Sequence, residues 1–138
     1  MSLRATAHSS GDTLRQDILI DGRHALVTDE PERLGGTDTG PAPHELFPAA
    51  LAGCVATTIR SYARAKGWQI SDVEVDVVYD HQSTPRHFDV TITLPPGLAP
   101  EQRERLERVA AACPLRRAIE AGVEFEEHLV SGVAADAA

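Results

Sequence analysis

The chain has 138 residues, one domain's worth, and is long enough to bury a core of its own. Apolar residues make up 42% of it but aromatics only 4%, so Ala, Val, Leu and Ile must fill that core. The formal charge of −8 argues against a nucleic-acid partner, which needs a basic stripe, and against an anionic membrane surface. Lys66 is the sole lysine among 13 basic residues, and no arginine cluster resembles a binding motif.

No stretch approaches the 18 or so apolar residues that cross a bilayer, so no transmembrane helix is expected. Met1 to His8 lacks the apolar centre of a secretory leader. A cytoplasmic location is therefore expected, where a permanent structural disulfide is unusual. The 2 cysteines then stand as free thiols, metal ligands or a redox pair. Without CxxC or HxxxH spacing, and with the histidines scattered, neither a metal nor a cofactor is expected.

Taken in chain order, Thr13 to Asp21 alternates polar and apolar residues as a strand does. Asp21-Gly22 signals a two-residue hairpin, and Arg23 to Thr28 returns as a second strand. Pro31 to Pro43 is a Gly/Pro-rich loop without phosphate-binding spacing. From His44 to about Lys66 the pattern is helical, with Pro48 in the first turn or so and Gly67 as the C-terminal stop. Small residues at Ala49, Ala52, Gly53 and Ala56 would let another helix approach closely. Val73 to Tyr79 and Phe88 to Leu94 alternate as strands. Pro100 opens an amphipathic helix with Leu106, Val109 and Ala110 inward, and Pro114 interrupts it before a short helix to Ala121. Val123 to Val130 reads as a last strand. This order predicts an α+β fold in a single domain, 1–138, with residues 1–10 and 131–138 poorly ordered or peripheral.

Each cysteine has a marked setting. Cys113 precedes Pro114, which places it near a helix N-cap where unpaired amides favour an anion, with Arg116 and Arg117 a turn away. A buried helix-junction residue fits the same position. Cys54 lies mid-helix, beyond the reach of the helix dipole, on a face with Leu46, Ala50, Thr57 and Thr58. That face is an apolar stripe with two hydroxyls, a floor for a greasy substrate or simply a close helix crossing. Glu45 reads as a first-turn acid that suits the macrodipole, and His44 as a surface residue.

Asp29-Glu30-Pro31, then Leu34-Gly35-Gly36-Thr37-Asp38-Thr39-Gly40-Pro41-Ala42-Pro43-His44-Glu45-Leu46-Phe47 and the run into Gly53-Cys54, resemble the OsmC/Ohr family. These are osmotically inducible and organic hydroperoxide resistance proteins. Ile59 to Trp68 is similar to the family's helix end, and Leu98 to Arg103 leading into Ala112 to Arg117 to its second motif. The resemblance spans about Gln16 to Leu129.

It implies antiparallel sheets around a long central helix carrying Cys54, in a homodimer whose chains intertwine and whose two sites lie at the subunit interface. It also implies a thiol-dependent peroxidase for alkyl or lipid hydroperoxides. In that chemistry Cys54 becomes a sulfenic acid, Cys113 resolves it to a disulfide, and a dithiol, dihydrolipoyl-type or small, restores the thiols. An arginine and a glutamate activate the attacking thiol in peroxidase members. Without gaps the arginine position falls at about Thr13, with Arg15 on the same strand face, and the glutamate position at His44, with Glu45 one residue later. Arg15 and Glu45 are thus the candidates for cation and orienter, and Arg116 stands where the motif has histidine. Two other functions are open at this point. One is a stress-response or small-molecule-binding protein of the same fold without efficient turnover, the other a thiol acyl hydrolase.

Overall fold

The computed structural model describes residues 2–132. Strands β1 (Ala5–Ser9), β2 (Gln16–Ile20) and β3 (His24–Thr28) form one antiparallel sheet in the order β1-β2-β3. Helix α1 (Pro43–Ala65) follows, then β4 (Glu74–Asp80) and β5 (His87–Thr93), paired antiparallel from Glu74↔Thr93 to Asp80↔His87. Helices α2 (Pro100–Ala111) and α3 (Pro114–Ala121) complete the described elements. The architecture is α+β, with antiparallel sheets and a long helix, as the alternation and helical patterns predict.

The core is built on one face of α1. Leu51, Val55, Ile59 and Ala63 recur at four-residue steps and are 3%, 3%, 0% and 1% exposed. Leu106 and Ala110 of α2 and the Cys113 side chain close on that stripe, with Val75, Val77, Phe88 and Ile92 of β4 and β5 packed around it. Each fully buried Leu or Ile contributes about 1.5–3 kcal/mol of transfer free energy. Val109, expected on the inner face of α2, is only half-buried at its margin. Arg60 fastens the connection after α1, its Nη1 and Nη2 donating to the carbonyls of Ile70 and Ser71 at 2.7 Å each.

Several boundaries differ from expectation for local reasons. The β2–β3 turn does have positive φ at Asp21 and Gly22, but Arg23 is an extra residue and Ile20 pairs with His24. Because α1 begins at Pro43, Pro48 lies in the second turn and removes the amide that would have met the His44 carbonyl. Ala5–Ser9, expected to be poorly ordered or peripheral, is peripheral but regular: it forms the outer strand of the first sheet with every residue exposed. Residues 133–138 of the expected frayed tail lie outside the described residues.

The predicted last strand is corrected. Residues 123–130 carry no regular secondary structure, and Val123, Phe125, Leu129 and Val130 are 68%, 83%, 102% and 82% exposed. Alternation prepares a segment for a ladder but does not supply the partner strand, and among the described residues no strand pairs with it.

The first sheet also stands apart, since no residue of β1–β3 belongs to the buried core cluster. It is joined to α1 by a loop wound tightly on Asp29, which is 1% exposed. Its Oδ2 accepts from the hydroxyls of Thr37 and Thr39 at 2.6 and 2.7 Å and from their amides at 3.2 and 3.1 Å. Its Oδ1 accepts from the Glu30 amide at 2.8 Å. The winding needs glycine twice: a Cβ on Gly36 would overlap the Glu30 carbonyl, and one on Gly40 would sit 2.5 Å from the Val27 carbonyl oxygen.

Candidate active site

The α2–α3 corner follows from one proline. Pro114 keeps its predecessor out of the α region, so Cys113 adopts φ −52°, ψ 129° and the chain turns between the two helices. Cys113 is thereby the N-cap of α3, and its carbonyl accepts the Arg117 amide at 3.0 Å. Its side chain is fully buried at 0% exposure.

The corner packs on α1 where Cys54 stands, and the two sulfurs are 2.8 Å apart across 59 residues of chain. Both cysteines are free, Cys54 half-buried and Cys113 buried. A disulfide S–S bond is about 2.05 Å, so bond formation asks for less than an ångström of sulfur movement.

Around Cys54 the influences oppose one another. Burial is the strongest and pushes its thiol pKa up, and the adjoining Cys113 sulfur acts in the same direction. The Leu115 amide and the Thr58 hydroxyl, both close to the sulfur, pull the other way. Pro114 has no N–H, so Leu115 carries the first free amide of α3, and it faces Cys54 rather than the helix's own N-cap. Sequence reasoning missed this donor. It credited a helix N-terminus to Cys113 alone, because nothing in the local sequence says that α3 points at α1.

The remaining candidates are dispersed. Thr58 is half-buried and its Oγ1 donates to the Cys54 carbonyl at 2.8 Å; Leu46 is half-buried, and Ala50 and Thr57 are exposed. Glu45 lies nine residues before Cys54, about 13 Å along the axis and half a turn round the helix. Its Oε1 accepts the Ala42 amide at 2.9 Å, which satisfies one unpaired donor at the start of α1. Arg15 precedes β2, exposed, with its Nη2 3.6 Å from Asp17 Oδ1. Arg116 pairs with Glu120 at 3.2 Å. Within one chain, then, the two cysteines are brought together while Arg15 and Glu45 are engaged elsewhere.

Next to the cysteine helix lies a cavity of about 470 Å³, with apolar walls from Leu51 and Val55 of α1, Phe88 and Ile92 of β5, Ala110 of α2 and Ile119 of α3, and with Glu107, Arg116 and Glu120 at its polar side. These residues differ from the stripe expected to hold substrate. Among the described residues no group of three or more His, Cys, Asp or Glu could hold a metal, and no helix is long and apolar enough to cross a membrane.

Residues 36–128 match a family model described as OsmC-like protein. The search of curated proteins finds no match. Among solved structures, an organic hydroperoxide resistance protein OsmC from Legionella pneumophila is 27% identical, with 86% of this chain and 89% of that one covered at a TM-score of 0.55. An OsmC-like hydroperoxide resistance protein from Jannaschia sp. CCS1 is 25% identical, covering 94% and 92% at a TM-score of 0.56. A protein of Psychrobacter arcticus 273-4, assigned to osmotic stress induction and the detoxification response, is 23% identical, covering 82% and 85% at a TM-score of 0.69.

Proposed function

The chain belongs to the OsmC-like protein family, and from that premise we propose that it is a thiol-dependent peroxidase reducing organic hydroperoxides. The observation that carries this reading is the Cys54–Cys113 contact of 2.8 Å, made by two free thiols of unequal exposure. The more accessible Cys54 is the attacker. Its thiolate forms an S–O bond with the outer oxygen of ROOH as the O–O bond breaks, and the departing alkoxide takes a proton to become ROH. Cys54 is then a sulfenic acid. The Cys113 thiolate attacks that sulfur, forming the disulfide and expelling hydroxide, which leaves as water. A dithiol reduces the disulfide by exchange and is itself oxidised.

On this reading the two residues do different work. A resolving sulfur already touching the attacker captures the sulfenic acid before a second peroxide converts it to sulfinic acid. The apolar side chains on one side of the cavity beside α1 favour an alkyl or lipid peroxide over hydrogen peroxide, since they give an alkyl body a surface to bury.

Thiolate formation is the remaining requirement, and burial opposes it. We assign the activating cation to Arg15 and its orientation to Glu45, delivered by a second copy of the chain. Two observations support an assembly of two chains: the first sheet lies outside the core, and residues 123–130 are exposed without a ladder partner.

The test is consumption of cumene hydroperoxide or tert-butyl hydroperoxide with dithiothreitol or dihydrolipoamide. Wild type should turn over, Cys54→Ser should fall to the uncatalysed rate, and Cys113→Ser should lose activity as sulfinic acid accumulates. One equivalent of peroxide should lower the mass of the reduced wild-type chain by two hydrogen atoms in mass spectrometry. No turnover with either reductant would sink the assignment.

A further inference from the structure

At the far end of α1 from the cysteines the fold gathers a basic, aromatic pocket that the linear sequence does not display. Lys66 caps α1, Trp68 follows it, and Arg105 and Arg108 come from α2. Together with Tyr62 and Glu101 they line a pocket of about 320 Å³. That is at the small end of the range of about 300–1,000 Å³ for pockets that take organic ligands.

The pocket is built around Tyr62. Its ring stands edge-on to Trp68 with centroids 5.7 Å apart. The Lys66 ammonium is 5.6 Å from the Tyr62 centroid and the Arg105 guanidinium 5.7 Å. Arg105 Nε donates to Tyr62 Oη at 2.6 Å, which holds the guanidinium in place and leaves its two terminal nitrogens without an acceptor among the described residues. Arg108 is 3.6 Å from Glu104. With Arg108 paired to Glu104, Lys66 and Arg105 are left as the pocket's cations without an acid partner among the described residues, facing the one lining carboxylate of Glu101 on a chain whose formal charge is −8.

A solvated charged face would have mobile side chains, each paired with a neighbouring acid. Here Arg105 is already ordered by a phenol, so an incoming oxyanion meets a fixed fork of donors and immobilises little more. Trp68 and Tyr62 supply a wall for the apolar part of the ligand.

We propose that Tyr62, Lys66, Trp68, Arg105 and Arg108 form a binding site for a small organic oxyanion, a phosphate or carboxylate carried on a ring or short apolar body. The oxyanion sits between Lys66 and Arg105, and the body lies on Trp68. The site is separate from the cysteine pair: Tyr62 is eight residues beyond Cys54 on α1, about 12 Å along the helix.

Trp68 is the only tryptophan, so its fluorescence reports the pocket directly. The full-length reduced chain is titrated with phenyl phosphate, benzoate, inorganic phosphate and phenol. Phenyl phosphate or benzoate should give a saturable change with tighter binding than inorganic phosphate or phenol. Arg105→Gln and Lys66→Gln should each weaken it by about tenfold or more, and Arg105→Lys by less than Arg105→Gln. Circular dichroism checks that the variants fold, and peroxide turnover should be unchanged in them. Absence of saturation up to about 10 mM overturns the proposal, as does wild-type affinity in both Gln variants or binding of inorganic phosphate or phenol as tight as that of phenyl phosphate and benzoate.

Discussion

Burial raises the pKa of Cys54 and the Cys113 sulfur pushes it the same way, so in one chain its thiolate is scarcer at neutral pH than that of free cysteine, near 8.5. An arginine within about 4–6 Å would lower that pKa by about 1–3 units, opposing the effect of burial. The pH profile of Cys54 alkylation by iodoacetamide, measured in a Cys113→Ser background, reads the outcome directly. With Arg15 contributing, its midpoint falls below that of free cysteine, and Arg15→Gln moves it upward with a matching loss of peroxide turnover. A midpoint unchanged by Arg15→Gln removes Arg15 from the mechanism. At this scale the sequence was informative where one residue dictates its own geometry, as Pro114 does for Cys113. It was silent on what reaches Cys54, because the Leu115 amide arrives from another helix and a side-chain alphabet does not display amides.

The clearest element-level consequence concerns the loop between β3 and α1. Five hydrogen bonds from Thr37, Thr39 and Glu30 stabilise the charged form of Asp29 and hold its carboxyl well below the usual carboxylate range. A depressed folded-state pKa contributes stability that is present above the unfolded value of about 3.9 and is lost as pH falls through the folded one. Asp29→Asn should therefore lower the thermal midpoint at pH 7, and the gap to wild type should shrink as pH drops below about 4. A gap that stays constant from pH 7 down to acid unfolding would show that the charge is not what orders the loop. The Gly/Pro content announced a loop here, yet not its organising centre. In the sequence Asp29 stands only as part of a motif, and its place at the loop's centre is set when Thr37 and Thr39 fold back on it. The helices were legible for the opposite reason, since the steps of Leu51, Val55, Ile59 and Ala63 and of Leu106 and Ala110 are local to each element.

At the scale of the whole molecule, the alternating pattern at 123–130 and the structure of that segment disagree, and the disagreement points outward. A sequence with strand periodicity and four large exposed apolar residues has every requirement for a strand but a neighbour. The first sheet has the converse property: β1–β3 form a complete ladder among themselves, yet Leu19 is 45% exposed and Leu19, Ala25 and Val27 border a depression of about 430 Å³ that the same chain leaves open. Periodicity predicts which residues belong on a covered face but carries no information about which chain covers it, so this part of the fold was half legible. A second copy, as proposed above, would supply both missing partners at once. Light scattering on the purified reduced protein should then give twice the 14.8 kDa of one chain. Shortening the chain after Gly122 should yield monomers or shift the dimer equilibrium by at least tenfold in concentration, about 1.4 kcal/mol. Phe125→Asp and Val123→Asp together should do the same in the full-length chain, which separates loss of the strand from loss of length. If dimers persist unchanged in both variants, residues 123–130 are not the contact. If wild type is monomeric while turning over peroxide, a second chain is not needed to activate Cys54.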